Sequence, residues 1–193
     1  MTPLDIALSL ALGIGLAAAT GFRLFLPLLI TSIATYSGYI PVSDGFAWLA
    51  SPAAILMLGA ASIVEIVAFY IPGLDNLLDT LAGPAALVAG TLVSAAVMGD
   101  LPPLVKWTAA IIAGGGAAGL TQGVTTALRA GSTAFTGGLG NFVVATAEIL
   151  GATGIAILAI AAPFIAVLLV VLFCIYAVRT VRRFAKRKSP AGQ

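Results

Sequence analysis

Four charged side chains stand inside otherwise apolar stretches of the chain and are the first candidates for chemistry. They are two arginines and two glutamates: Arg23, Glu65, Arg129 and Glu148. Where such a stretch crosses a membrane, a charge costs roughly 3 kcal/mol on insertion scales and normally faces a partner or a cavity. Equal numbers of each sign suggest two ion pairs, one of Arg23 with Glu65 and one of Arg129 with Glu148.

These charges leave two interpretations open. In the first, they form structural pairs that hold the helices in place. In the second, an arginine binds the oxygens of a phosphate or carboxylate while a glutamate takes up protons. Arg129 also fits a helix end whose long side chain reaches the membrane surface.

A polar, glycine-rich stretch runs over residues 129–141 and is followed by Glu148. Its hydroxyl and amide side chains are Ser132, Thr133, Thr136 and Asn141. Glycine-rich backbone that leaves the helix exposes peptide groups, which hydrocarbon tolerates only if they are buried in protein or line a wet cavity. The stretch is therefore predicted to be a re-entrant segment or to line a substrate path.

Other kinds of site receive little support. Asp75 and Asp79, with Asp100, are weaker candidates for ligands of a hard cation, but their spacing is not that of a calcium loop and turns favour aspartate. We therefore assign no metal. The chain has no histidine, no Cys-x-x-Cys, no Gly-x-Ser-x-Gly and no phosphate loop. Zinc hydrolysis and histidine-based triads are excluded, and neither an enzyme nor a cofactor is expected.

The elements that must position these residues follow from composition. The chain is 61% hydrophobic and only 8% charged, with a mean hydropathy of +1.15. Soluble domains carry roughly 25% charged residues, so this chain has too few to cover a water-soluble surface. It is expected to be an integral membrane protein. Its 193 residues suit a single polytopic membrane domain over 1–180, followed by a basic tail over 181–193.

Apolar runs long enough for membrane helices recur along the chain. Spans are predicted over about 4–20, 52–70, 85–98, 105–128 and 155–178, with short helices over about 24–35 and 142–150. Gly21 and Pro27 break the first run, which is too long for one crossing. The predicted fold is all-α, with about five transmembrane helices plus broken or re-entrant segments near 21–27 and 131–150. Five or six crossings fit this pattern.

The distribution of charge predicts the orientation. Six of the nine Lys and Arg residues lie between Arg179 and Lys188. By the positive-inside rule, the tail lies in the cytoplasm of a multi-pass protein of the cytoplasmic (inner) membrane. The expected partners are the lipid bilayer, anionic lipid at the basic tail and further copies of the chain; nucleic acid is not expected. The first helix lacks the basic start of a signal peptide and is expected to remain.

Several glycines are predicted to let helices approach closely. They are Gly13, Gly15, Gly21, Gly114, Gly115, Gly116, Gly119 and Gly123. The spacing Gly13-x-Gly15-x4-Thr20 recurs as Gly114-x-Gly116-x4-Thr121. Such an echo is typical of transporters built from two related halves, but 22 glycines also make coincidence easy.

Three motifs in order carry a resemblance to a known family. They are Ala19-Thr-Gly-Phe-Arg-Leu-Phe-Leu-Pro27, then Glu65 with Ile71-Pro-Gly-Leu-Asp75, then Gly131-Ser-Thr-Ala-Phe-Thr-Gly-Gly-Leu-Gly-Asn141. With these motifs the chain resembles bacterial membrane proteins grouped as domain of unknown function 4126, a family without a settled activity. Phe22-x2-Phe-x-Pro27 beside Arg23 is also similar to the Phe-x-Arg-x-x-Pro signature of DedA-type lipid transporters, although the arginine is displaced. This second likeness keeps lipid phosphates among the candidate substrates.

The sequence thus favours a transporter or channel for an ion or a small anionic or phosphate-bearing substrate. Arg23 and Arg129 would attract the anion, Glu65 or Glu148 would couple protons or hold the arginines, and residues 132–141 would line the path. The alternative is a non-transporting scaffold or assembly partner whose buried charges are structural. The two hypotheses differ in whether neutralising Glu65 stops flux or disrupts assembly.

Overall fold

A computed structural model describes residues 2–71, 74–99 and 101–188. Every regular element in these ranges is helical. The helices are α1 (Pro3–Thr20), α2 (Phe25–Tyr36), a 3-10 helix (Asp44–Ala50), α3 (Pro52–Phe69), α4 (Leu74–Val97), α5 (Pro103–Ala109), a π-helical segment (Ala110–Gly115), α6 (Gly116–Thr136), α7 (Asn141–Ala161) and α8 (Pro163–Lys188).

The described chain contains six helices long and apolar enough to cross a membrane. They cover residues 3–20, 52–69, 80–97, 103–136, 141–161 and 163–180. By contrast, α2 has 12 residues and a length of about 18 Å, well short of a ~30 Å hydrocarbon core. The predicted all-α membrane fold is confirmed.

The first helix runs antiparallel to α4. Gly13 packs against Ser94, near the end of α4, whereas Thr20 lies beside Gly90, one turn earlier along that helix. The start of α1 and the end of α4 therefore lie at the same end of the bundle.

The chain after α2 returns to that same end. The Ser43 N–H donates a hydrogen bond of 2.8 Å to the carbonyl oxygen of Ala96 at the end of α4. Ile40 joins the hydrophobic core beside Leu12 and Val97. The helices α1 and α2 therefore form a re-entrant hairpin, and the chain reverses over residues 21–24. The predicted break near 21–27 is confirmed.

The remaining helices traverse the bundle in alternating directions. From the end at which the hairpin enters, α3 runs away, α4 returns, α5 and α6 run away as one long rod, α7 returns and α8 runs away. Contacts fix this order, since Gly15 packs on Ala159 of α7 and Ala166 of α8, while Phe22 packs on Gly151 of α7 and Phe173 of α8. The start of α1 and the end of α8 consequently lie at opposite ends.

The second predicted break is smaller than its predicted range. Helix α6 continues through Thr136, and only the four residues 137–140 leave the helical path before α7 begins. Gly137 and Gly138 have φ of +62° and +96°, a left-handed conformation that glycine adopts without steric cost. Residues 132–136 stay helical because a helix pairs its own peptide groups, as hydrocarbon requires.

Several predicted boundaries were wrong. The span predicted over 85–98 is part of a longer helix, α4, which begins at Leu74 and carries Pro84 in its interior. Helix α7 runs without interruption over Asn141–Ala161, so residues 142–150 are not a separate helix. The break occurs instead at Pro163, because proline is tolerated in the first turn of a helix but ends a preceding one. Helix α8 extends through Lys188 and includes the first part of the basic tail.

Glycines hold the centre of the bundle together. A side chain at Gly21 would collide with the carbonyl oxygen of Ala118 on α6, and one at Gly114 would come within 2.6 Å of Ser94. Close approach is confirmed for Gly13, Gly15, Gly21, Gly114, Gly115 and Gly119, whereas Gly116 and Gly123 face open space. The two glycines aligned by the sequence echo, Gly13 and Gly114, both lie against Ser94.

Candidate functional site

Two arginines share one carboxylate in the interior of the bundle. Arg129 of α6 donates from Nε to Glu148 Oε1 over 3.0 Å and from Nη2 to Oε2. Arg23, at the tip of the hairpin, places Nη2 3.2 Å from the same Oε2. Arg23 is 1% exposed, Arg129 2% and Glu148 4%. The predicted pair of Arg129 with Glu148 is present, and Arg23 joins it.

The hairpin tip determines the position of Arg23. Gly21 allows the tip to press against α6, so that the next residues reach α7. There Arg23 Nη2 also donates 3.2 Å to the carbonyl oxygen of Ala145. Within the described residues, Nε and Nη1 of Arg23 are buried and have no hydrogen-bond partner. A buried donor without a partner costs free energy, more so when it is charged, and a ligand oxygen would relieve that cost.

Phe69 of α3 belongs to the charged cluster but was not predicted from the sequence. The guanidinium carbons of Arg23 and Arg129 lie 4.0 and 4.4 Å from the centre of its ring. An aromatic face attracts cations, most strongly when both groups are out of water. Phe69 is 8% exposed, so this attraction acts largely out of water. It offsets part of the repulsion between the two arginines. Its only sequence signal is its place one helical turn after Glu65.

Glu65 has a different role from the predicted ion pair with Arg23. Its two carboxylate oxygens accept hydrogen bonds from the backbone N–H groups of Leu24 and Phe25, at 2.6 and 3.0 Å. These N–H groups belong to the start of α2, where the first turn of a helix has no internal acceptor and carries partial positive charge. Hydrocarbon supplies no alternative acceptor, so Glu65 caps α2.

The polar side chains of the glycine-rich stretch lie between this cluster and the nearby end of the bundle. Asn141 Nδ2 donates to Thr133 Oγ1 over 3.1 Å, and the Gly140 N–H donates to Thr136 Oγ1 over 2.9 Å. The Ser132 hydroxyl lies close to Gly140, is buried and has no hydrogen-bond partner in the described part of the chain. These residues form a polar layer that begins about one helical turn after Arg129, at Ser132 and Thr133, and extends to Thr136 about two turns after it.

The depth of the cluster follows from α7. Glu148 and Ala145 lie seven and four residues after Asn141, the first residue of α7. At 1.5 Å per residue the cluster is about 6–10 Å from that end of the helix. The hairpin thus penetrates most of the bundle and places Arg23 near the end opposite to the one at which it enters.

The predicted metal candidates receive no test. The side chains of Asp75 and Asp79, and all of Asp100, fall outside what the structure describes. Elsewhere in the described residues, no group of three or more His, Cys, Asp or Glu side chains is placed to hold a metal ion.

Apolar grooves flank the hairpin tip on two sides. Between α6, α7 and α8, a groove of about 360 Å³ has Phe22 and Glu148 among its lining residues. Between α2, α3 and α4, a groove of about 420 Å³ contains Phe25 and Glu65. It adjoins a third groove, of about 630 Å³, that reaches Trp48. Phe22 and Phe25 therefore stand on either side of Arg23, between the charged cluster and the grooves.

The arrangement suits the binding of an anion. It combines two guanidinium groups, backbone N–H groups at a helix start, and an aromatic ring that stabilises the cations. Guanidinium groups recognise phosphate and carboxylate oxygens through paired hydrogen bonds, which strengthen in an interior of low dielectric constant.

Comparison with known proteins identifies a family. A family model described as domain of unknown function (DUF4126) matches residues 10–183. No curated protein and no solved structure shows significant similarity to the chain. The match runs from the middle of α1 through most of α8 and includes every residue of the charged cluster. The chain is therefore a multi-pass membrane protein that belongs to the domain of unknown function 4126 family.

Proposed function

We propose that the protein is a transporter or channel for a small anion, including phosphate-bearing anions. The observation that carries this proposal is Arg23, which is 1% exposed and has two N–H donors without a partner among the described residues. A structural ion pair is most stable when every donor is satisfied. An anion that accepts from Nε and Nη1 would complete the set.

The polar layer at the α6–α7 turn provides a route to this site. Thr136, Asn141 and Thr133 succeed one another from the turn towards Arg129, over about one helical turn. On the far side of the site, α1 and α2 are joined by a break over residues 21–24. Broken helices that meet near a binding site are typical of secondary transporters, in which their movement alternates access.

The orientation in the membrane is part of the proposal. The basic residues at the end of α8 favour the cytoplasm of a bacterial inner membrane. The α6–α7 turn then faces the cytoplasm, and both ends of the hairpin face outwards. Anionic lipid at the basic residues is a further expected contact.

Flux through reconstituted vesicles tests the proposal. Proteoliposomes loaded with potassium nitrate or potassium phosphate, with valinomycin to carry the counter-ion, should release at least one anion faster than empty vesicles. Arg23→Gln should lower that rate at least tenfold, and Arg23→Lys, which keeps the charge but loses the planar donor set, should lower it less. Arg179→Gln, at an exposed position on α8, is the matched control and should leave it unchanged.

Equal rates in wild-type and empty vesicles for both anions, or an undiminished rate in a folded Arg23→Gln protein, would overturn the proposal. Elution as one symmetric peak in gel filtration shows that a variant is folded.

The second candidate function is a non-transporting scaffold or assembly partner. It is favoured by Glu148, which bonds both arginines in a closed, buried cluster. In that case Arg23→Gln would reduce stability or assembly, and no variant would change flux. Homo-oligomerisation, measured as mass in lipid nanodiscs, is the readout that separates this function from transport.

A further inference from the structure

We infer that the Glu65 carboxylate occupies an anion-binding position at the start of α2 and that a substrate anion exchanges with it. This inference rests on the proposed anion transport and assigns a gating role within the same site. It begins from the two backbone N–H groups of Leu24 and Phe25, which hold both oxygens of Glu65 at 2.6 and 3.0 Å. Two N–H groups at a helix start are a general binding geometry for carboxylate and phosphate oxygens.

A second, independent set of donors lies beside this position. Arg23 precedes Leu24 directly, and its Nε and Nη1 are buried without a partner among the described residues. Its guanidinium stacks on Phe69 at 4.0 Å, and Phe69 is the residue one turn after Glu65 on the same face of α3. The charge of Arg23 also acts on the Glu65 carboxylate, so an anion that replaces this carboxylate at the helix start would lie in the field of the Arg23 guanidinium.

A groove beside Glu65 can receive its side chain when the anion displaces it. Glu65 already borders the groove of about 420 Å³ between α2, α3 and α4, which is otherwise lined by apolar side chains. A bare carboxylate is costly in such a groove, so Glu65 leaves the helix start as the protonated acid. Of the described residues, the charged groups that act on it from neighbouring elements are Arg23 at the hairpin tip and Glu148 on α7.

The exchange explains why α2 is capped by a glutamate from another helix and not by a hydroxyl side chain, as many helices are. A carboxylate reproduces the charge and the two acceptors of the anion that it replaces. With Glu65 in place the site is closed and neutralised, and with an anion in place the same N–H groups remain satisfied. The α2 start is thus capped in both states, as a helix end in hydrocarbon must be.

Chemical rescue tests the inference directly. Glu65→Ala empties the position, and formate, a carboxylate of matching size, should refill it. The melting temperature of the full chain, followed by the fluorescence of its two tryptophans, should rise by about 5 °C at a formate concentration near 100 times the Kd. Sodium gluconate at the same ionic strength, too large for the position, should not raise it. In the wild-type protein, whose position is filled, formate should have less effect.

Vesicle flux provides the second readout. Glu65→Gln removes the charge that holds the side chain at the helix start, so nitrate flux should exceed the wild-type rate at least threefold. This expectation replaces the loss of flux that the sequence predicted for a neutralised Glu65, because Glu65 caps α2 and does not pair directly with Arg23. Absence of a formate-specific rise in Glu65→Ala overturns the inference, as does an unchanged or lower flux in a folded Glu65→Gln protein. If Glu65→Ala aggregates in gluconate, recovery of a single gel-filtration peak in formate supports the inference and aggregation in both salts contradicts it.

The two proposals fail in different ways. Formate rescue without any protein-dependent flux would retain the anion site and remove the transport function. Flux that depends on Arg23 but shows neither rescue nor acceleration would retain transport and remove the exchange at Glu65.

Discussion

Glu148 is the acceptor that both buried arginines share. Its carboxylate receives two donors of Arg129 and one of Arg23 while 4% of the residue is exposed. A buried ion pair adds little net stability relative to an apolar pair, but removal of one partner leaves a charge stranded in the interior. Substitution of Glu148 should therefore lower the stability of the protein more than substitution of any charged residue at the surface.

Replacement of Glu148 by glutamine should lower the free energy of unfolding by roughly 3–5 kcal/mol, because two guanidinium groups lose their counter-charge. Asp44→Asn, at an exposed position in the 3-10 helix, is the matched control and should change it by less than about 0.5 kcal/mol. Denaturant unfolding in detergent measures both values. A Glu148→Gln protein within about 1 kcal/mol of wild type would contradict the structural importance of the shared carboxylate.

Among the helices, the re-entrant hairpin depends on the absence of side chains where it meets α6. Gly21 lies against the backbone carbonyl oxygen of Ala118 and against the Thr121 side chain, which leaves no space for a methyl group. Backbone cannot move aside as the end of a flexible side chain can, so an added group would push the hairpin tip away from α6. Arg23, two residues later, would move with it.

Gly21→Ala should therefore destabilise the protein by about 1–3 kcal/mol. Gly123→Ala places the same methyl group on α6 where no atom lies within 4 Å, and it should be neutral or slightly stabilising because alanine favours the helix. Thermal melting of the two variants in the same detergent compares them. Equal melting temperatures would show that the hairpin and α6 are not in tight contact.

For the molecule as a whole, the hairpin changes the number of crossings. Six helices are long enough to span, but α1 is followed by α2, which returns to the end at which α1 entered. Among the described helices, five then traverse the bundle from one end to the other. A bundle that spans the membrane in this way would have the start of α1 and the end of α8 on opposite sides. A protein with six crossings would have both on the same side.

Cysteine labelling distinguishes these topologies. If the protein has the proposed orientation, Thr2→Cys and Tyr39→Cys in a Cys174→Ala background should both react with a membrane-impermeant maleimide added to intact spheroplasts, since both positions are exposed at the entry end of the hairpin. Leu139→Cys, in the α6–α7 turn, should react only after permeabilisation. Labelling of Thr2→Cys and Tyr39→Cys from opposite sides would mean that α1 and α2 cross the membrane together.

Much of the fold can be predicted from the sequence, because a membrane requires apolar side chains and backbone hydrogen bonds within each segment. The length of the apolar runs predicts the helices. Gly21 and Pro27 predict the break, since glycine and proline disrupt the helical turn in which they lie. The prediction of a separate short helix over 142–150 was wrong, because α7 continues without interruption through Ala161. A helix in hydrocarbon keeps its own hydrogen bonds, and this outweighs weak helix propensity.

The sequence by itself determined that this protein is an all-α membrane protein whose apolar stretches contain charges at Arg23, Glu65, Arg129 and Glu148. Each such charge is conspicuous because hydrocarbon tolerates few of them. Only the tertiary structure decided the partners. It brought Arg23 to Ala145 and Glu148 across a sequence separation of more than 120 residues, turned Glu65 to the start of α2 and placed Phe69 beneath both arginines. Contacts of that range depend on how the helices pack, and no local pattern in the chain records it.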